Sequence, residues 1–172
     1  MTNPEGFAIT SKEAVSAQEG CQYNYNMATD VKMDWLNEKT LLRSTGQPIN
    51  GVVCLYNGNV RIVAPYKDGK IEGIARQYYE SGKLKEETFH KNDKAEGIQK
   101  IYYESGKLAI ERPYKNDKAE GYAQVYTENG RLLMKVLYNN DEPVSGVCGN
   151  GRVLTNAELI NLGNGHDVFC TQ

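Results

Sequence analysis

Hydrophobic residues along this chain fall in runs of about seven, rich in Tyr, Ile, Val and Leu, and many runs close on a polar pair ending in glycine. Ser81-Gly82, Ser105-Gly106 and Asn129-Gly130 are the clearest of these pairs. An X-Gly pair supplies the positive φ that a tight turn needs, and runs of this length between such pairs are those of strands. A second punctuation, KNDKAEG at Lys91 to Gly97 and again at Lys115 to Gly121, gathers Asn, Asp and Gly where the chain reverses once more. The pattern predicts a mainly β fold, a meander of successive antiparallel hairpins with one hairpin per period.

The period is 24 residues. Segments opening at Gly73, Gly97 and Gly121 align without gaps up to their second turn, and the first two agree at 16 of 24 positions, including YYESGKL at Tyr78 to Leu84 and Tyr102 to Leu108. A shorter repeat opens at Gly51 and lacks two residues before its turn. GQPING, from Gly46 to Gly51, predicts a partial repeat around Leu41 and Leu42, and GVCGNGRVL, from Gly146, a degenerate one. One hairpin cannot bury both its faces, so neighbouring copies must supply the missing contacts.

A two-residue loop at the X-Gly pair places Tyr79 opposite Leu84 and Tyr103 opposite Leu108, whereas a type I turn with a glycine bulge shifts that register; the sequence fits both. Equivalent residues form columns: Tyr66, Tyr114 and Tyr138 with His90, and Leu84, Leu108 and Leu132. Pro113 cannot donate to a ladder and predicts an edge, a bulge or a strand end.

The ends break the pattern. Thr155, followed three residues on by Glu158 and later by Gly163, predicts a short helix over Asn156 to Leu162. Ser11 to Gln18 and Thr29 to Lys39 are read as short helices, although Val31, Met33 and Trp35 alternate as a strand does. The expected organisation is an N-terminal cap over 1–40, the hairpin array over 41–154 and a C-terminal cap over 155–172, the caps covering sheet edges.

With 20 basic and 22 acidic residues, the charge is −2, and no basic block points to nucleic acid or to an anionic membrane surface. The longest apolar-rich stretch, Leu132 to Tyr138, is far short of the roughly 20 residues of a spanning helix. The first 20 residues show no basic start with an apolar core after it, so no secretory signal is expected in them.

Cys21, Cys54, Cys148 and Cys170 form no CxxC pair, so a metal knuckle is not expected. Two states fit them: disulfides in an exported protein, with Cys148 and Cys170 the preferred pair, or four reduced thiols in the cytoplasm. His90 replaces a tyrosine in its column, and His166-Asp167 lies near Cys170 in a glycine-rich stretch that reads as a loop. No nucleophile elbow, zinc-protease, phosphate-loop or calcium-loop motif is present. Glu80, Glu104 and Glu128 recur at the turns, as solvated tips do. No catalytic residue, cofactor or metal is called for, and the candidates for binding are Tyr78, Tyr79, Tyr102, Tyr103 and Tyr126, a residue type favoured where proteins meet.

The unit G-x4-YYESGKL-x5-YKNDKAEG resembles the variant MORN repeat of many bacterial proteins, with Asp93 and Asp117 standing where glycine is usual. The resemblance covers about two thirds of the chain. It implies an elongated sheet of hairpins and a non-enzymatic interaction role; bacterial members often carry an antitoxin label. The function expected is a protein-interaction or scaffold module with an unidentified protein partner, exported or surface-associated if the cysteines are oxidised. A cytosolic toxin neutraliser, or a small carbohydrate-binding or hydrolytic protein with an aromatic groove, are the rival readings.

Overall fold

Two kinds of turn, each with its own backbone requirement, shape the chain. A computed structural model describes residues 21–170, and the helix expected at Ser11 to Gln18 lies outside them. Its strands are β1 (Tyr23–Asn26), β2 (Val31–Asp34), β3 (Lys39–Leu42), β4 (Gly51–Asn57), β5 (Val60–Lys67), β6 (Lys70–Ile71), β7 (Gly73–Tyr78), β8 (Leu84–Lys91), β9 (Lys94–Ala95), β10 (Gly97–Tyr102), β11 (Leu108–Lys115), β12 (Lys118–Ala119), β13 (Gly121–Tyr126), β14 (Leu132–Asn139) and β15 (Glu142–Cys148), followed by one helix, α1 (Asn156–Gly163). The fold is a meander of antiparallel hairpins in open sheet, as the periodicity predicts.

The first kind of turn is the X-Gly pair. Tyr102 pairs with Leu108 across a register shift, the Tyr103 amide donates to the Lys107 carbonyl at 2.8 Å, and Gly106 alone in the loop has positive φ, 85°. This is the bulged turn, so Tyr102 rather than Tyr103 faces Leu108. Thr127 to Arg131 repeats it, and so does Cys148 to Arg152 in the degenerate copy. In the short repeat Asn57 pairs with Val60 around a two-residue loop, which accounts for the two missing residues.

The second kind joins each long strand to the short one after it or, at the last repeat, to β15. Asp68-Gly69, Asn92-Asp93, Asn116-Asp117 and Asn140-Asp141 all have φ between 50° and 77°. Two successive left-handed residues make the type I′ turn that suits the right-handed twist of a hairpin. Asn and Asp tolerate that region, so the departure from glycine at Asp93 and Asp117 leaves the turn intact.

The aspartate does more than tolerate the turn. Asp117 Oδ1 accepts from the Ala95 amide at 2.6 Å and Asp141 Oδ1 from the Ala119 amide at 2.6 Å, in the preceding repeat; Asp93 does the same for Ile71. Their own amides donate back to the carbonyls of Ala95, Ala119 and Ile71 at 3.0 to 3.1 Å. The glutamate before each repeat glycine completes the link: Glu72, Glu96 and Glu120 accept from the amides of Asn92, Asn116 and Asn140 at 2.9, 3.3 and 2.9 Å. Asn50 plays that part upstream, accepting from Asp68 at 2.7 Å. The partial repeat therefore takes part in the same bonding, and KNDKAEG is the sequence of a splice between consecutive copies.

Repeat glycines also keep space. Gly73 has φ 125°, and a Cβ there would stand 2.8 Å from Pro65 Cγ. Pro113 lies within β11, between Glu111, which pairs with β13, and Tyr114, which pairs with β12, where the ladder changes partner.

The described residues form two compact bodies, 21–82 with 90–93, and 83–89 with 94–170. In the first, the strand order is β1-β4-β5-β7, β1 running parallel to β4 and the others antiparallel. Val31, Ile49, Val53, Leu55, Ala64 and Tyr66 form its core. Burial pushes the Tyr66 phenol up to about 12, with Asp93 adding to the shift and the Thr40 hydrogen bond opposing it. A Cys21–Cys54 disulfide joins the segment before β1 to β4. The helix expected over Thr29 to Lys39 is instead the β2–β3 hairpin, in which Val31 pairs with Leu42 and enters the core. The alternation of Val31, Met33 and Trp35 is the signal that holds, although Val31 alone of the three is buried.

The second body runs β8-β10-β11-β13-β14-β15. Met134, Val136, Cys148, Leu154 and Cys170 form its core, packed by Leu159 and Leu162 of α1, and Cys148 is disulfide-bonded to Cys170. Thr155 and Glu158 make the reciprocal capping box that the sequence predicts. Glu158 also accepts two bonds from the Arg152 guanidinium, at 2.9 and 3.0 Å. Arg152 first, and then the Thr155 amide, hold the Glu158 carboxyl down at about 2. A carboxyl whose pKa is lowered by folding stabilises the fold above its ordinary value of 4.5 and stops doing so as pH falls toward 2. Acid titration followed by hydrogen exchange is expected to show α1 fraying between about pH 4.5 and 2, with Glu158→Gln frayed across the whole range and insensitive to that step.

Candidate functional site

In the second body the register determines what each sheet face displays. Ile98 pairs with Pro113, Lys100 with Glu111 and with Glu87, Glu111 with Gln124, Gln124 with Lys135, Tyr122 with Leu137 and Lys135 with Val147. Side chains alternate along a strand, so these residues and Phe89 share one face. Ile101, Ile110, Val125, Met134 and Cys148, paired in succession, line the other. The C-terminal segment covers that second face at its far end.

The first face carries three parallel rows. Nearest the repeat glycines is an apolar row: Phe89 is 43% exposed, Ile98 55%, Tyr122 55%, with Pro113 and Leu137 between and beside them. It crosses five strands, roughly 19 Å at about 4.8 Å per strand. Next comes a charged row, Glu87, Lys100, Glu111, Gln124 and Lys135, whose Lys135 ammonium sits 4.2 Å from the Tyr122 ring centroid. The third row holds Tyr102 and Tyr126.

The tyrosines chosen from the sequence all lie half-buried. Tyr102 donates its hydroxyl to Glu87 at 2.8 Å, and Tyr126 makes the equivalent longer contact to Glu111 at 3.5 Å. Burial first, and then the Glu111 charge, raises the Tyr126 pKa. Tyr103 donates to the Tyr126 carbonyl at 2.6 Å. Tyr78, in the first body, lies under the Arg61 guanidinium at 4.0 Å, and the Tyr79 carbonyl closes its turn by accepting from Gly82 at 2.9 Å. Tyr102 and Tyr126 thus share the exposed face, while the hydroxyls of Tyr102 and Tyr103 and the ring of Tyr78 are engaged within the protein.

The residues that sequence reasoning missed are Phe89, Ile98 and Tyr122. For two of them the signal was available: an apolar side chain follows the repeat glycine at Ile74, Ile98 and Tyr122. Glu80, Glu104 and Glu128 are exposed at the tips, His90 is half-buried in β8 and His166 is exposed. Among the described residues no three His, Cys, Asp or Glu side chains stand together to hold a metal ion, and no helix is long and apolar enough to cross a membrane.

Comparison with known families accounts for the periodicity. Residues 71–92, 95–116 and 119–140 each match the MORN repeat variant. The chain thus carries three consecutive MORN variant repeats, the repeat the tandem unit resembles. No curated protein matches the chain.

Proposed function

We propose that this chain, built on three MORN variant repeats, is a non-catalytic binding module that docks a protein partner on the exposed face of its second body. The observation that carries the reading is the row Phe89, Ile98 and Tyr122, each 43% exposed or more on a face whose opposite side packs beneath the C-terminal segment. Exposed apolar rows rimmed by polar side chains mark interaction sites. Tyr102 and Tyr126 extend the surface with half-buried rings already fixed by hydrogen bonds, so little rotamer freedom is lost on docking. A sheet face that presents Lys and Glu side by side suits a protein surface better than a sugar or a catalytic substrate, which require a concave pocket. The regions 1–40 and 155–172 serve in this reading as caps on the array.

Two disulfides favour an oxidising compartment, and with it an exported or surface-associated protein over a cytosolic toxin neutraliser. Alkylation of freshly isolated protein is expected to label no cysteine before reduction and four after it, read as intact mass. Labelling of native protein would return the cytosolic reading to first place.

The docking face is tested by Ile98→Glu combined with Tyr122→Ser. Both sites are 55% exposed, so the thermal midpoint is expected to stay within about 2 °C of the native value. Capture from host extract, quantified by mass spectrometry, is expected to lose its partner by roughly 30-fold or more, the scale of an interface hot spot. Equal recovery by native and variant chains would move the site elsewhere.

A further inference from the structure

Lys100 and Glu111 stand directly opposite each other in the register of β10 and β11, yet among the described residues neither belongs to an ion pair. Both side chains are half-buried, and Glu111 takes just the long contact from the Tyr126 hydroxyl at 3.5 Å. Two opposite charges thus sit side by side in the middle of the exposed face of the second body and are not spent on each other. Beside them the apolar row lies open, with Phe89, Ile98 and Tyr122 each at least 43% exposed.

Another sheet is one of the two elements that cover a sheet face. Two sheets pack about 10 Å apart with their strands nearly aligned, so each row of one face lies over a row of the other. The face of the second body matches its own copy in this way. A two-fold axis parallel to the strands, placed between β10 and β11, keeps every row at its level and reverses the strand order β8-β10-β11-β13. Lys100 then lies against Glu111 of the other copy, twice, and Glu87 against Gln124, a carboxylate against an amide donor. In the apolar row Ile98 lies against Pro113 and Phe89 against Tyr122. Moving the axis onto β10 sets Lys100 against Lys100, and moving it onto β11 sets Glu111 against Glu111, so the charges speak for the position between them.

We infer that the exposed face of the second body pairs with the same face of a second copy of this chain, as an isologous dimer. The inference rests on the docking face proposed above and names its partner. An unrelated protein would have to place an acid against Lys100, a base against Glu111 and an apolar row at the matching level. A second copy supplies all three by symmetry. Four strands and three rows amount to about 400 Å² of sheet on each copy. That is at the low end for a specific contact, so association is weak, with a dissociation constant on the order of 10⁻⁴ M.

Sedimentation equilibrium of native protein, from micromolar to about 1 mM, is expected to show monomer passing to dimer and nothing larger, since a two-fold contact closes on itself. Lys100→Glu sets acid against acid at both contacts and Glu111→Lys sets base against base, so each variant alone is expected to associate roughly tenfold more weakly or worse. Mixed together they set acid against base twice, and a heterodimer of near-native strength is expected. A merely misfolded variant could not recover in this way. Ile98→Glu spoils the apolar row and keeps the charges; it replaces either charge variant that circular dichroism shows unfolded, and is expected to stay monomeric. A mixture as weak as its components overturns the inference, as do species that keep growing with concentration. A native chain monomeric to about 1 mM also overturns it. If capture from host extract then still depends on Ile98 and Tyr122, the docking face stands with another partner; if it does not, both readings fall.

Discussion

Replacing Asp117 by alanine is expected to destabilise the protein by about 3 kcal/mol. Two costs combine. The residue sits at φ 68°, where a non-glycine side chain without local hydrogen bonding loses about 1 to 2 kcal/mol. The carboxylate also accepts from the Ala95 amide at 2.6 Å, and Ala95 is only 8% exposed, so its amide is left without a partner at about 1 to 3 kcal/mol. Asp117→Gly keeps the second cost and relieves the first, so about 1 to 2 kcal/mol is expected. Asp117→Asn keeps the left-handed tolerance and an acceptor, so less than about 1 kcal/mol is expected. Urea denaturation midpoints of the three variants check the order alanine, glycine, asparagine. An alanine variant as stable as native protein would mean that the aspartate does not tie the repeats together.

Removal of the Cys148–Cys170 disulfide is expected to cost about as much again. The bond closes a loop with a sequence separation of 22, and loop closure of that length contributes roughly 3 kcal/mol through the unfolded state. For a chain of this size that corresponds to a fall of about 6 to 12 °C in the thermal midpoint. Cys148 is 1% exposed and Cys170 9%, so replacing both by alanine also removes packing from the core beneath α1. Hydrogen exchange is expected to speed up in β15 and α1 and to stay unchanged in β4 and β5. Uniform acceleration along the chain would show that the bond stabilises the whole fold and not this end.

The hairpin meander could be read from the sequence because its signals are local: a glycine at each bulge, an Asn-Asp pair at each reversal, a Thr-Glu capping box at α1. What could not be read depends on the other strand. One residue of bulge decides whether Tyr102 or Tyr103 faces Leu108, and both choices satisfy the same seven letters. The binding candidates show the same limit. Tyrosine is conspicuous in the repeat, so it drew attention, yet the register turns Tyr102 toward Glu87 and leaves Ile98 and Tyr122 as the most exposed apolar residues of that face. Thr29 to Lys39 fits a short helix or, by the alternation of Val31, Met33 and Trp35, a strand; the pairing of Val31 with Leu42 decides for the strand and puts the indole on a turn.

The splice between copies has an evolutionary consequence. Each aspartate and glutamate serves the backbone one period away, so donor and acceptor are never contributed by the same copy. Excising residues 97–120, or inserting another such block, presents each new junction with the same amide, the same carboxylate and the same spacing as the old one. Such an array can lengthen or shorten by unequal recombination in steps of 24 residues without first inventing a new interface. The near identity of the copies at Gly73 and Gly97 is what a step of that kind leaves behind.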